Sequence, residues 1–205
     1  MERTPTRRPV TPELKRGLIL DAARQVFTET GLEGASLRSI AARAGYTPAA
    51  LYFHFESKEA IYAELLRQSL EALAAAVAAG GAGETAGERL RGAALGFFHF
   101  YRERPHDLDL GFYGMRPRGV GRERDRNLNQ ALAGALRPIT EAFEGHGLPA
   151  REAAAQTADL FAHAVGLLVL AHTGRIRLFG ASPTQLMERH LDERLALFAS
   201  RPEVR

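Results

Sequence analysis

Cysteine is absent from this 205-residue chain, which excludes disulfides, a thiolate metal cluster and a cysteine nucleophile. Valine and isoleucine are sparse, while alanine, leucine, arginine and glutamate dominate. That balance favours helix over sheet. No apolar run approaches the roughly 20 residues needed to cross a bilayer; the longest lies at Ala164–Ala171. No apolar signal core follows the basic, proline-bearing stretch Met1–Pro9, so a cytoplasmic protein without a membrane partner is expected. Net charge is only +3, too small to name a partner by itself. What is present is a hydrophobic fraction of 45%, ordinary for a chain that buries a core.

Cations crowd the beginning of the chain, at Arg3, Arg7, Arg8, Lys15 and Arg16. Such a run is either a solvated tail or an arm that contacts phosphates. Helical signals follow at once. Apolar residues recur with helical spacing from Thr11 to Thr30, with Thr11 as N-cap, Pro12 at the first helical position and Gly31 at the stop. Short helices are expected over Ser36–Ala44 and Pro48–Phe53, and Ser57 caps a long amphipathic one. The glycines of Ala78–Gly83 mark a hinge or boundary.

Beyond it, Thr85 and Glu88 form a capping-box pair that opens a helix ending before Pro105. A short helix around His106–Phe112 and a loop over Gly114–Gly121 come next. The helix from about Asp125 to Glu144 contains Pro138, which should kink or split it. Pro149 opens a helix to about Thr173 whose apolar residues go nearly all round, and Ser182 and Pro183 start the last one. No strand-period segment and no repeat is found. The expected fold is all-α, a three-helix N-terminal head over residues 1–57 and a larger helical body over 58–205.

The segment from Ser36 to Phe55 is two short helices joined at Gly45. Ile40, Ala41, Ala44 and Leu51 supply the apolar contacts that lock them at a steep angle, and Gly45 can take the positive φ of a tight turn. The second helix is left with a free N-terminus and its positive dipole end, suited to a phosphate backbone or groove. This is a helix-turn-helix. The block Ser36, Ile40-Ala41, Ala44-Gly45, Leu51-Tyr52-Phe53-His54-Phe55 and Lys58, preceded by Phe27, Gly31 and Gly34, resembles the N-terminal signature of the TetR family of regulators. The specific likeness covers roughly Gly17 to Ile61; beyond it only length and helical layout agree.

The resemblance implies that Ser36, Thr47, Tyr52, His54 and Lys58 contact the DNA backbone, with Tyr46, Pro48, Ala49 and Ala50 facing the major groove. Pro48, Ala49 and Ala50 offer base edges no side-chain hydrogen bond. Direct readout would then rest on thymine methyls, on Tyr46, Thr47 and Tyr52, and on Arg38 from the preceding helix. Tyr52, Phe53 and His54 have a packing alternative, and Arg43 reads more simply as solvated.

One head buries little surface on DNA, so a homodimer on a palindromic operator is expected. The family commonly builds its dimer from the last two helices; the candidate contacts are Phe161, Val165, Leu168, Leu186, Leu191 and Leu197, unless these pack within the subunit. The densest aromatic region supplies candidates for a small, largely apolar effector, namely Phe97, Tyr101, Phe112 and Phe143. Polar groups would come from His99, Tyr101, His106, Tyr113 and His163. Core packing is the competing reading of that stripe.

Asp159 and His163 have metal-compatible spacing but no third ligand, and read as a hydrogen-bonded pair. With no nucleophile elbow, phosphate-cradling loop or carboxylate pair, neither an enzyme nor a cofactor is expected. The expected function is a ligand-responsive regulator, a repressor released from DNA by its effector. An activator of the same fold and a helical adaptor whose head binds protein are the alternatives.

Overall fold

The computed structural model describes residues 11–114 and 122–199, apart from the side chains of residues 113–114, 122–125 and 199. Arg3, Arg7, Arg8 and the Tyr113 side chain therefore lie outside the described residues. Among those described there is no strand. The helices are α1 (Pro12–Gly34), α2 (Leu37–Ala44), α3 (Pro48–Tyr52), α4 (Lys58–Gly80), α5 (Ala86–Glu103), α6 (Pro105–Gly114), α7 (Arg122–Glu144), α8 (Ala150–His172) and α9 (Pro183–Ala199). The chain divides into two compact units, Met1–Leu66 and Arg67–Arg205, and α4 runs unbroken through the division.

The capping residues act as their chemistry requires. Thr11 Oγ1 accepts from the Leu14 amide at 3.3 Å, and Ser57 Oγ accepts from the Ala60 amide at 3.1 Å. Thr85 and Glu88 close a reciprocal capping box, which holds the Glu88 carboxyl below its ordinary range, chiefly through the Thr85 amide. Each such cap stabilises a helix start by about 1 kcal/mol. Gly31, at φ 69°, breaks the helical path of α1, and a last short turn to Gly34 follows. Pro138 does not split α7, which continues to Glu144.

In the second unit, α5 packs against α7, α8 and α9, and α7 against α8. Phe97, Phe98, Phe143, Leu160 and Leu168 are closed off from solvent at that centre. Thr140 and Thr157 bridge α7 and α8 through their hydroxyls at 2.9 Å. Salt bridges tie α9 to its neighbours, from Arg91 on α5 to Asp192 and from Asp159 on α8 to Arg194. The α4–α5 crossing is unusually close: a Cβ placed on Gly92 would fall on the Gly80 carbonyl, and one on Gly96 would lie 2.7 Å from the Ala76 carbonyl oxygen.

A feature absent from the sequence reading is a 3-10 turn, Arg175–Phe179, between α8 and α9. Ile176 anchors it, while Leu178 and Phe179 stand 82% and 72% exposed.

Candidate nucleic-acid interface

The head is built on α1. Ile19, Ala23 and Val26 of that helix join Ile40, Ala41, Leu51 and Phe55 in one apolar core. The Ser36 hydroxyl accepts from the Ser39 amide and the Ser39 hydroxyl from the Ser36 amide, both at 3.0 Å, so α2 starts at a fixed point. Gly45 turns the chain with φ 73° and ψ 26°, and its amide points back to the carbonyls of Ala41 and Ala42. Thr47 Oγ1 then accepts from the Ala50 amide at 3.2 Å and starts α3. Local sequence alone dictates every step of this turn.

Helical spacing sorts α3 and the residues just after it into rows. Leu51 and Phe55 form the row that enters the core, at 0% and 3% exposure. Pro48 with Tyr52, and Ala49 with Phe53, are the rows that face out. Tyr52 is 56% and Phe53 89% exposed, so neither is a core aromatic. Ala50 and His54 lie between, half-buried, with the His54 ring edge-on to Tyr46 at 6.5 Å. Ser36, Thr47 and Arg38 are exposed on the same unit, and Arg38 belongs to α2.

Several cations have internal duties that the sequence reading did not foresee. Arg16, grouped above with the basic arm, donates to the His54 carbonyl at 3.1 Å, lies 4.2 Å from the centre of the Phe55 ring and sits 3.7 Å from Glu64. It clamps α1 to the chain that follows α3. Lys58 Nζ donates to the Ala35 carbonyl at 2.9 Å and the Leu32 carbonyl at 3.4 Å, tying the end of α1 to the start of α4. Arg43, read as solvated, forms a two-pronged pair with Glu29 at 2.8 and 2.5 Å and also donates to Gln25. Their hydrogen bond holds the Glu29 carboxyl below, and the Arg43 guanidinium above, its ordinary range.

The body candidates are scattered. Phe97, Tyr101 and Phe143 are buried, and Phe97 packs edge-on against both Tyr101 and Phe161, at 5.1 and 5.5 Å. Burial raises the Tyr101 hydroxyl well above its usual range, with Asp107 adding to it. Phe143 meets Phe198 instead, while His106 and Phe112 are exposed. The cavity beside Phe97, walled by Leu136, Ile139, Phe161 and Met187, measures about 10 Å³. That is room for one water, so these aromatics form a packed core in this conformation.

His163 does not pair with Asp159, because Arg194 takes that carboxylate. Its ring stacks on His190 of α9, with centroids 3.8 Å apart and planes within 10°. Of the dimer candidates, Leu168 and Leu191 are fully buried in the subunit and Phe161 packs on Phe97. Val165 and Leu186 are half-buried, and Leu197 is 67% exposed. The side of α8 that does face solvent carries Ala158, Ala162, Gly166 and Val169.

These elements define a helix-turn-helix head continuous with an all-helical body. Residues 19–65 match the model of the tetR family of bacterial regulatory proteins, a likeness confined to the head. A stretch of 56 residues is 41% identical to the transcriptional regulator UidR of Escherichia coli K12, covering 27% of this chain and 29% of UidR. One of 57 residues is 44% identical to the transcriptional repressor KstR2 of Mycobacterium tuberculosis H37Rv, covering 28% of each. The match thus spans less than a third of these relatives' length. The fold extends further: the structure of the fatty acid degradation regulator FadR from Bacillus halodurans superposes with a TM-score of 0.66 at 18% identity, covering 94% of this chain and 95% of that one.

Proposed function

We propose that this protein is a cytoplasmic transcriptional repressor that binds palindromic operator DNA as a homodimer and is released by a small, largely apolar effector. The observation that carries the reading is the outward face of α3. A five-residue helix is pinned from behind by Leu51 and Phe55 and from its start by Thr47, and it presents Pro48, Ala49, Tyr52 and Phe53 to solvent. A rigid, protruding second helix of this kind is what a major groove admits. Ser36, Arg38, Tyr46, Thr47, Ala50 and His54 surround that face as backbone and base contacts. Lys58 keeps a third ammonium hydrogen for a phosphate beyond the two carbonyls it already bonds.

The dimer surface fits the solvent-facing side of α8 and α9. Small residues at Ala158, Ala162 and Gly166 allow a second helix to approach closely, and Val169 and Leu197 add apolar area. Two heads about one DNA turn apart would then meet successive major grooves. An effector that binds better to a conformation with the heads apart weakens DNA binding by that difference in affinity. The cavity beside Phe97, with room for about one water, has to widen before such a ligand fits. Helix α4, unbroken from Lys58 to Gly80, is the covalent path between the two events.

The test is a gel shift of the purified protein on its own upstream intergenic DNA at several salt concentrations. A saturable, sequence-selective shift that weakens with salt and is lost in Tyr52→Ala is the expected result. Absence of a selective shift on any fragment in a genome-wide selection refutes the reading and favours a head that binds protein.

A further inference from the structure

We infer that this head selects its operator by the 5-methyl groups of thymine, and that Phe53 is a specificity-determining residue in that contact. The inference rests on the reading of the head as a DNA-binding module. Its basis is what the outward face of α3 has and lacks. Pro48 and Ala49 carry no polar side-chain atom, and Tyr52 contributes a single hydroxyl at the rim of a 56%-exposed ring. Phe53, one helical turn after Ala49, is 89% exposed. With exposed Pro48, Ala49 and Tyr52 beside it in the sequence, it makes this an apolar patch rather than a lone exposed ring, the kind of surface a partner covers.

Several polar side chains of the head already serve bonds within the protein. Thr47 Oγ1 holds the Ala50 amide, Arg43 holds Glu29 and Gln25, Arg16 holds the His54 carbonyl, and Lys58 holds the Ala35 carbonyl. Releasing Arg43 or Arg16 to a base edge would undo bonds that shape the head, whereas the Thr47 hydroxyl keeps its proton and Lys58 a third ammonium hydrogen. Hydrogen-bonded readout is therefore left to Arg38 and the hydroxyls of Tyr46, Thr47 and Tyr52, none of which lies on the surface made by Pro48, Ala49 and Phe53. In the major groove the one apolar group that distinguishes a base pair is the thymine methyl. A surface of proline, alanine and two aromatic rings complements that group and no other on the base edges.

Uracil in place of thymine removes the methyl and keeps every hydrogen-bonding atom, so it isolates the contact. The experiment scans a selected operator with single deoxyuridine substitutions, using the full-length wild-type protein and Phe53→Ala at fixed salt. Wild type should lose roughly three- to five-fold in affinity at one or more thymines in each half-site, the worth of one buried methyl. Phe53→Ala should bind the thymine operator more weakly by at least that factor. It should also be indifferent to uracil at the position that Phe53 covers, with an unchanged salt slope. The substitution sits at an 89%-exposed site and leaves the head core untouched, which circular dichroism verifies.

A selective wild-type protein with a flat uracil scan overturns the inference while leaving the DNA-binding reading intact. So does a Phe53→Ala variant that retains the uracil penalty at every position. No selective DNA binding by wild type, with Phe53 protected by a protein partner, overturns both.

Discussion

Replacing Gly92 by alanine tests whether the α4–α5 crossing is set by backbone contact. In a solvent-exposed helix the change is favourable by about 1 kcal/mol, because alanine loses less chain entropy than glycine. Here the added Cβ would fall on the carbonyl oxygen of Gly80 and lie 2.9 Å from its carbonyl carbon. Both are backbone atoms, so no rotamer change relieves the overlap. The helices have to separate by more than 1 Å, and Val77 and Ala93, both inaccessible to solvent beside the crossing, lose close contacts across it.

A gap of 0.5–1 Å forfeits about a quarter to a half of the dispersion energy of each contact it opens. Overpacking of this kind costs about 1–3 kcal/mol, and a backbone neighbour puts it at the upper end. Net of the helix gain, Gly92→Ala should destabilise the protein by about 2 kcal/mol, a fall in Tm of about 4–8 °C for a chain of this size. Gly134→Ala on α7 is the matched control, since nothing lies within 4 Å of its Cβ position, and it should raise Tm by about 2–4 °C. Thermal unfolding followed by circular dichroism reads both. If the two variants shift Tm in the same direction, the crossing is not held by glycine contact and the reasoning is refuted.

The clamp at Lys58 makes a second expectation. Lys58→Met leaves the carbonyls of Ala35 and Leu32 without their donor and should cost about 1–3 kcal/mol, seen as an earlier denaturant midpoint. Stability should also fall on acidification. Burial lowers the pKa of His146, His163 and His190 below the ordinary 6.5, so the unfolded chain binds protons that the folded one resists. The stabilising contribution is complete above pH 6.5 and is lost as pH falls through that value toward the depressed native pKa values. Tm measured from pH 8 to pH 5 should show the decline, and His190→Phe should flatten it. Ala162→Arg, at an exposed site on α8, should keep the subunit folded and shift sedimentation from dimer to monomer. Unchanged dimerisation would remove that face from the interface.

The head was legible in the sequence because its signals are local. Thr11, Ser36 and Thr47 each cap a helix by bonding an amide three residues on, and Gly45 turns the chain through its own φ. None of these needs knowledge of a distant residue. The duties of Arg16 and Lys58 were illegible for the opposite reason. Their partners lie 38 and 23 residues away, and a cation near the N-terminus looks the same in sequence whether it meets a phosphate or a carbonyl. Phe53 fell between the two cases. Its apolar character left a packing alternative open, and the structure puts it on the outward row with Ala49, at 89% exposure.

In the body, the obstacle was that periodicity reports a stripe and not what covers it. Helix α8 is apolar nearly all round, and the structure resolves it into two faces of different make. Leu160, Ala164, Leu167 and Leu168 fill the subunit core, while Ala158, Ala162, Gly166 and Val169 are left outside. Size separates most of them, Ala164 inside and Val169 outside being the departures: the leucines fill the core, and the exposed side is mainly alanine and glycine, where a second backbone can come close. Periodicity could not separate the two faces in the dimer set either, and of its members Leu168 and Leu191 take the inward alternative. A large apolar side chain in a 23-residue helix is more informative about the core it enters than about the partner it awaits. For a chain of this layout, the interface is better sought among the alanines and glycines that the core did not require.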